Sequence, residues 1–176
     1  VSCNALDKNA LEKVLEQAVA RHKKIDLLLQ GAGVEQSRSF IEKTETEDRE
    51  EFHSKVETTL NARELGEKFK VPHQILFSSI IARFGNLGQS VYSMANAWAE
   101  SLWSIKSGGI IRTCIQWPPW DQVGMTEKPV IAELLKSSGV SLITKDQAES
   151  LLPTALSQTL SVAHNADDQL LYEAPL

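Results

Sequence analysis

Apolar residues recur along this chain in two rhythms: stretches with helical spacing, and short runs with little polar interruption. After Asp7, which suits a helix N-cap, Leu11, Val14, Leu15, Ala18 and Val19 fall on one helical face with charges between them. The basic stretch 21–24 suits that helix's C-terminus. Residues 25–29 form a short apolar run of the kind buried on both faces of a parallel sheet, and Gly31-Ala32-Gly33 breaks it. Thr44-x-x-Glu47 reads as a capping box opening a second helix, with Phe52, Val56, Thr59 and Leu60 as its apolar face. Pro72 closes the following loop, and 74–77 reads as a strand ending at Ser78-Ser79. A loop with Gly85 and Gly88 leads to a helix over about 89–105. Ser107-Gly108-Gly109 turns into a strand at 110–115, which Trp117-Pro118-Pro119-Trp120 ends. An irregular segment with Gly124 and Pro129, a helix over about 145–162 and a last strand at 169–172 complete the order.

Strands alternating with helices predict an α/β fold: a doubly wound, Rossmann-like parallel sheet with right-handed crossovers and helices on both faces. In such sheets ligands bind at the carboxyl ends of the strands, here after Leu29, after Phe77 and after Ile115.

Composition narrows the chemistry. The chain has 176 residues, enough for one domain with a real core, and 42% are hydrophobic. A net charge of −5 argues against nucleic acid or an anionic membrane surface as partner. No apolar run reaches the roughly 20 residues of a membrane span. Cys3 and Cys114 form no redox or metal pair, which suggests a reducing, cytoplasmic setting, and the four scattered histidines offer no metal site.

The post-strand positions carry the candidate chemistry. Tyr92 lies thirteen residues after Ser79, Asn96 shares its helical face at i+4, and Lys55 sits on the preceding helix. A phenol titrates near 10, so it needs help to act near neutral pH, and a nearby ammonium favours the phenolate. A serine hydroxyl can hold a carbonyl oxygen beside the phenol, and an asparagine can order a relay behind it. Together they make an acid that protonates an alkoxide as a hydride arrives.

Phe77-Ser78-Ser79, the stretch 88–97 (GQSVYSMANA) and Ile115-Gln116-Trp117-Pro118-Pro119-Trp120-Asp121 resemble the ketoreductase domains of modular polyketide synthases and type I fatty acid synthases, members of the short-chain dehydrogenase superfamily. Residues 27–34 (LLLQGAGV) are similar to the strand and turn that line the cofactor ribose in that family. The resemblance runs over nearly the whole chain. It implies that Tyr92 is the proton donor, that Ser79 orients the carbonyl, and that Lys55 and Asn96 complete the catalytic set. Asn rather than Lys at Tyr+4, with Lys on the preceding helix, separates these domains from ordinary short-chain dehydrogenases. Asn4, Gly31, Ala32, Gly33, Lys55, Tyr92, Pro118 and Pro119 fall at cofactor-binding positions. Asn4 replaces an acidic residue and Pro118 a glycine. Residues 122–144 correspond to a mobile lid. The markers of product handedness are absent: Glu35-Gln36-Ser37 replaces one, and Gln89 stands where a Trp would be the other.

The implied activity is NADPH-dependent reduction of a β-ketoacyl thioester on an acyl carrier protein, beside other synthase domains. No glycine-rich turn opens a helix here, so the resemblance places the first strands and the phosphate loop upstream of Val1. The chain then reads, over 1–176, as the C-terminal part of one ketoreductase domain. The apolar edge at 25–29 is expected to pair with that upstream half, and the fragment alone is expected to be inactive. Two other readings stand beside this one: a catalytically silent scaffold segment of a megasynthase, and a polyproline-type ligand at residues 117–120.

Overall fold

Asp7 opens the first helix as its position predicts. In the computed structural model, which describes residues 1–36, 38, 41–127, 129–137, 139–162 and 170–173, its carboxylate accepts from the Ala10 amide at 3.0 Å. Helix α1 then runs Lys8–His22 and ends on Lys23 in left-handed backbone, φ 72°. Strand β1 (Leu27–Gln30) starts two residues later than the apolar run predicts. Asp26, which breaks that run, lies outside the strand with its carboxylate exposed and 2.7 Å from Lys24 Nζ. Helix α2 (Glu45–Lys68) has the predicted capping box: Thr44 Oγ1 accepts from the Glu47 amide at 3.3 Å, and the Glu47 carboxylate accepts from the Thr44 amide at 2.9 Å. Strand β2 (His73–Ser79), the single turn α3 (Ile81–Phe84), helix α4 (Ser90–Trp103) and strand β3 (Ile111–Trp117) follow.

The segment after β3 is more regular than its composition suggests. It holds a 3-10 turn (Gly124–Glu127) and helix α5 (Pro129–Ser137). Pro129 takes the first helical position, where its missing N–H and fixed φ cost nothing, and Gly139 follows the helix at φ 79°. Helix α6 (Lys145–Val162) and strand β4 (Leu170–Glu173) complete the fold. Residue 169 of the expected last strand lies outside the described residues.

All four strands are parallel in the order β1-β2-β3-β4. Side chains alternate across the two faces. Leu28, Leu76 and Cys114 meet Ala62 of α2 and Ala99 and Trp103 of α4 on one face. Ile75, Ile115 and Trp117 meet Ile143, Ala148, Leu151 and Leu152 on the other, under α6. Every crossover steps the same way across the sheet, yet α6 covers the opposite face from α2 and α4. The β3–β4 crossover therefore has the opposite hand to the first two, and the expectation of uniformly right-handed connections fails there. Its long connection, with α5 and a bridge between Trp120 and Ile143, gives the chain room to cross to the far face. Strand β1 forms one edge, paired among the described residues with β2 alone. No described helix is long and apolar enough to cross a membrane.

The face under α2 and α4 is unusually polar. Buried Gln74 donates to Val71 O at 3.2 Å and accepts from Arg112 Nε at 3.1 Å, while Arg112 reaches Glu67 at 2.6 Å and Ile105 O at 2.6 Å. Gly66 makes this possible. A Cβ there would sit 2.5 Å from Gln74 Nε2 and 2.7 Å from Cδ, and Gln74 is fully buried and held at both ends. Gly66→Ala is therefore expected to destabilise the domain by about 1–3 kcal/mol despite alanine's better helix propensity. Urea unfolding should show a lower midpoint at unchanged m-value.

Candidate active site

Four residues singled out in the sequence converge at the carboxyl ends of β2 and β3. Ser79 is the last residue of β2 and pairs in register with Trp117, the last of β3. Tyr92 sits in the first turn of α4, and its phenol is reached by the side chains of Asn96 and Ser79. Asn96, 1% exposed, is seated by its own helix, because its Nδ2 donates to Tyr92 O at 2.9 Å. Lys55 reaches across from α2, and its Nζ donates to Phe77 O at 2.5 Å.

The loop after β1 closes over Lys55. Gln30 folds it by accepting from the Ala32 amide and donating to Ala32 O, both at 3.3 Å. Val34 N donates to Ser54 Oγ at 3.0 Å. A Cβ at Gly31 would meet Phe77 Cδ2 at 3.6 Å, an ordinary contact. A Cβ at Gly33 would come within 3.1 Å of Lys55 Cδ, so the lysine stem lies directly against glycine backbone. On the other strand end, Pro118 is buried and Pro119 half-buried. They are fixed by Ile80 N donating to Trp117 O at 3.1 Å and Ile143 N donating to Pro119 O at 3.0 Å.

Asn4 stands apart. It is exposed, its Oδ1 accepts from Leu6 N at 3.1 Å, and the turn it begins is tied by Ala5 O to Asn61, six residues past Lys55 on α2.

Two loops are stitched together beside Tyr92. Arg38 N donates to Gly88 O at 3.0 Å, with Gly88 at φ 76°, and Gln89 Nε2 donates to Glu35 Oε1 at 3.0 Å. The buried ion pair of Lys43 with Glu51, whose other oxygen accepts from Gln36 N at 2.8 Å, anchors the same loop to α2.

Electrostatics correct one expectation. The Tyr92 phenol is pushed above its ordinary value, first by burial and then by the Glu35 carboxylate, with the hydrogen bonds to Asn96 and Ser79 pulling the other way and Glu51 adding to the rise. The phenol moves up where the sequence predicts a fall, because burial and Glu35 outweigh the hydrogen bonds. Tyr92 is thus held neutral, a state that suits a proton donor. Lys55 is lowered to about 8 by burial, against the opposing influence of Cys114 and Glu100. The Cys114 thiol is itself raised, by burial first and Glu100 second, and stays neutral.

Sequence reasoning missed Glu35 as a neighbour of Tyr92, and it missed Glu100. Glu100 accepts from Ser78 Oγ and, at 2.9 Å, from Gln116 Nε2. The signal was there, since Glu100 lies four residues beyond Asn96 on the same helical face as Tyr92.

The Lys55 shift has a measurable consequence. Below pH 8 folded and unfolded chains both carry the ammonium, and the burial penalty is complete. Between about 8 and the ordinary 10.5 the unfolded chain binds the extra proton, so stability rises with pH across that window. The rise is expected to reach roughly 3 kcal/mol. Lys55→Met should flatten it, as read from urea midpoints at pH 7.5 to 10.5, a range set by the two values.

A family model described as "KR domain" matches residues 1–122. Polyketide synthase GfsA of Streptomyces halstedii is 27% identical over 161 residues, covering 89% of this chain and 2% of that protein. Among solved structures, an N-terminal ketoreductase from the macrolactin assembly line superposes with TM-score 0.74 at 22% identity, over 90% of this chain and 31% of that one. A ketoreductase from the first module of phoslactomycin biosynthesis in Streptomyces sp. HK803 gives 0.68 at 23%, over 90% and 35%. The chain thus spans a small part of the synthase and about a third of each ketoreductase structure. The fold, the convergence of Ser79, Tyr92, Asn96 and Lys55, and a family match over well over half the chain lead to one assignment: this chain belongs to the KR family, the ketoreductase domains of type I polyketide synthases.

Proposed function

We propose that this chain carries the proton-handling half of an NADPH-dependent ketoreductase. Its substrate is a β-ketoacyl thioester borne by an acyl carrier protein in a polyketide or fatty acid synthase, and its product is the β-hydroxyacyl thioester. The observation that carries this reading is the half-buried, neutral Tyr92 phenol, set beside Ser79 and Asn96 at the carboxyl ends of two parallel strands.

Tyr92 holds the proton that the nascent alkoxide oxygen takes. Ser79 Oγ accepts from Ile81 N at 3.3 Å, and its hydroxyl, next to the phenol, can turn to donate to the substrate carbonyl oxygen. Asn96 fixes the phenol's position and can hold a water behind it. Bound NADPH supplies the hydride.

The residues present fit its nicotinamide and ribose end. Lys55 offers an ammonium beside the Gly31-Ala32-Gly33 turn, and Pro118 and Pro119 wall the facing strand end. Asn4, in the exposed turn tied to Asn61 of α2, is assigned to the adenine end. No described helix opens on a glycine-rich turn of the kind that would hold the pyrophosphate. Residues 122–144 serve as the cover over substrate and cofactor.

The test is NADPH oxidation with a model β-ketothioester by the complete domain. Tyr92→Phe is expected to cut turnover about 10²–10⁴-fold while NADPH binding, followed by cofactor fluorescence, persists. A wild-type domain that binds NADPH and reduces no ketone overturns the reading.

A further inference from the structure

The spacing that joins Tyr92 to Asn96 continues for one more turn of α4. Glu100 follows Asn96 by four residues and points both carboxylate oxygens at the sheet. Ser78 of β2 donates to one, and Gln116 of β3 donates to the other at 2.9 Å. Ser78 directly follows Phe77, whose carbonyl receives Lys55 Nζ at 2.5 Å. The carboxylate is therefore fixed to the strand residue next to the one that holds the ammonium.

The other groups around Lys55 do not supply a counter-charge. Cys114, from β3, could oppose the fall of Lys55 only as a thiolate, and burial keeps it a thiol where Lys55 titrates. Tyr92, from α4, is a neutral phenol. Phe77 of β2 offers a carbonyl dipole. Glu51, one turn earlier on α2 itself, is paired with Lys43 and the Gln36 amide. Glu35, in the loop after β1, is bonded to Gln89. Gly33 of that loop brings only backbone.

Building on the reductase reading, we propose that Glu100 is a positioning residue: its carboxylate, pinned between Ser78 and Gln116, is the fixed counter-charge that keeps Lys55 an ammonium at working pH. An ammonium lowered to about 8 by burial is half lost at about that pH, so an anion fixed to the neighbouring strand residue shifts how much stays charged. Lys55 would meet the cofactor ribose with a positive charge and its full set of donors only while it is an ammonium.

The test is carried out on the complete domain with lysine side chains isotopically labelled for NMR. The Lys55 signal is assigned by its loss in Lys55→Arg. In Glu100→Gln, Lys55 is expected to titrate about one unit lower than in wild type, and the alkaline limb of the kcat profile is expected to move down with it. Glu100→Asp keeps the charge but shortens its reach, so a smaller fall is expected, and that variant decides the matter if the Gln protein does not fold. Lys55 titrating at the wild-type pH in a folded Gln or Asp variant overturns the proposal. So does an equal fall in both variants. The titration is independent of turnover. A domain whose Lys55 responds to Glu100 but which reduces no ketone refutes the reductase reading, whereas normal turnover with an unmoved Lys55 refutes the role of Glu100 alone.

Discussion

One constraint runs through the structure: the sheet face beneath α2 and α4 is polar, and a buried polar group must find a partner or cost its desolvation. Gln30, Gln74, Ser78, Arg112 and Gln116 line that face. They are met by Thr58 on α2 (Gln30 Nε2 to Thr58 Oγ1, 2.6 Å), by Glu67 at its C-terminal end and by Glu100 on α4. A slip of one residue in any strand would turn these groups to the apolar face under α6 and strand them. Polar pairing therefore sets register as firmly as the apolar clusters do.

The candidate site is the end of that paired face. Where the strands stop, the pairing continues into Ser78, Glu100, Asn96 and Lys55, so the groups that would handle a proton are held by the same bonds that hold the sheet. Lys55 is confined by the Phe77 carbonyl above and by Gly33 backbone along its stem. The loops beside Tyr92 are tied by backbone and side chain, Arg38 to Gly88 and Gln89 to Glu35, which leaves the phenol little freedom to reorient. A site built this way starts close to its working geometry and pays little to reach it. The far face contributes differently. Its apolar cluster under α6 takes in Trp117, next to Pro118, so packing there fixes the facing wall of the crevice.

Local signals in the chain were enough for the element order, the two helix caps, the parallel sheet and the four converging residues. Caps and periodicity act over a few residues, and strand-end positions follow from them. Tyr92, Ser79, Asn96 and Lys55 were legible because each sits at a fixed step from such a landmark. Residues 25 and 26 joining β1, and an irregular 129–137, were misjudged because a Lys24–Asp26 pair and a proline at a helix start can each be read two ways.

Tertiary structure alone decided the rest. The opposite hand of the β3–β4 crossover depends on which face has room for α6, a property of the assembled sheet. The protonation of Tyr92 depends on burial and on Glu35, which lies 57 positions earlier in the chain. The significance of Glu100 depends on two strands arriving beside one helix turn. The sequence by itself determined which residues are the candidates for the chemistry, because residue type and helical spacing are local. Folding determined their charge states, because these follow from solvent exclusion and from neighbours that only the closed structure brings within reach.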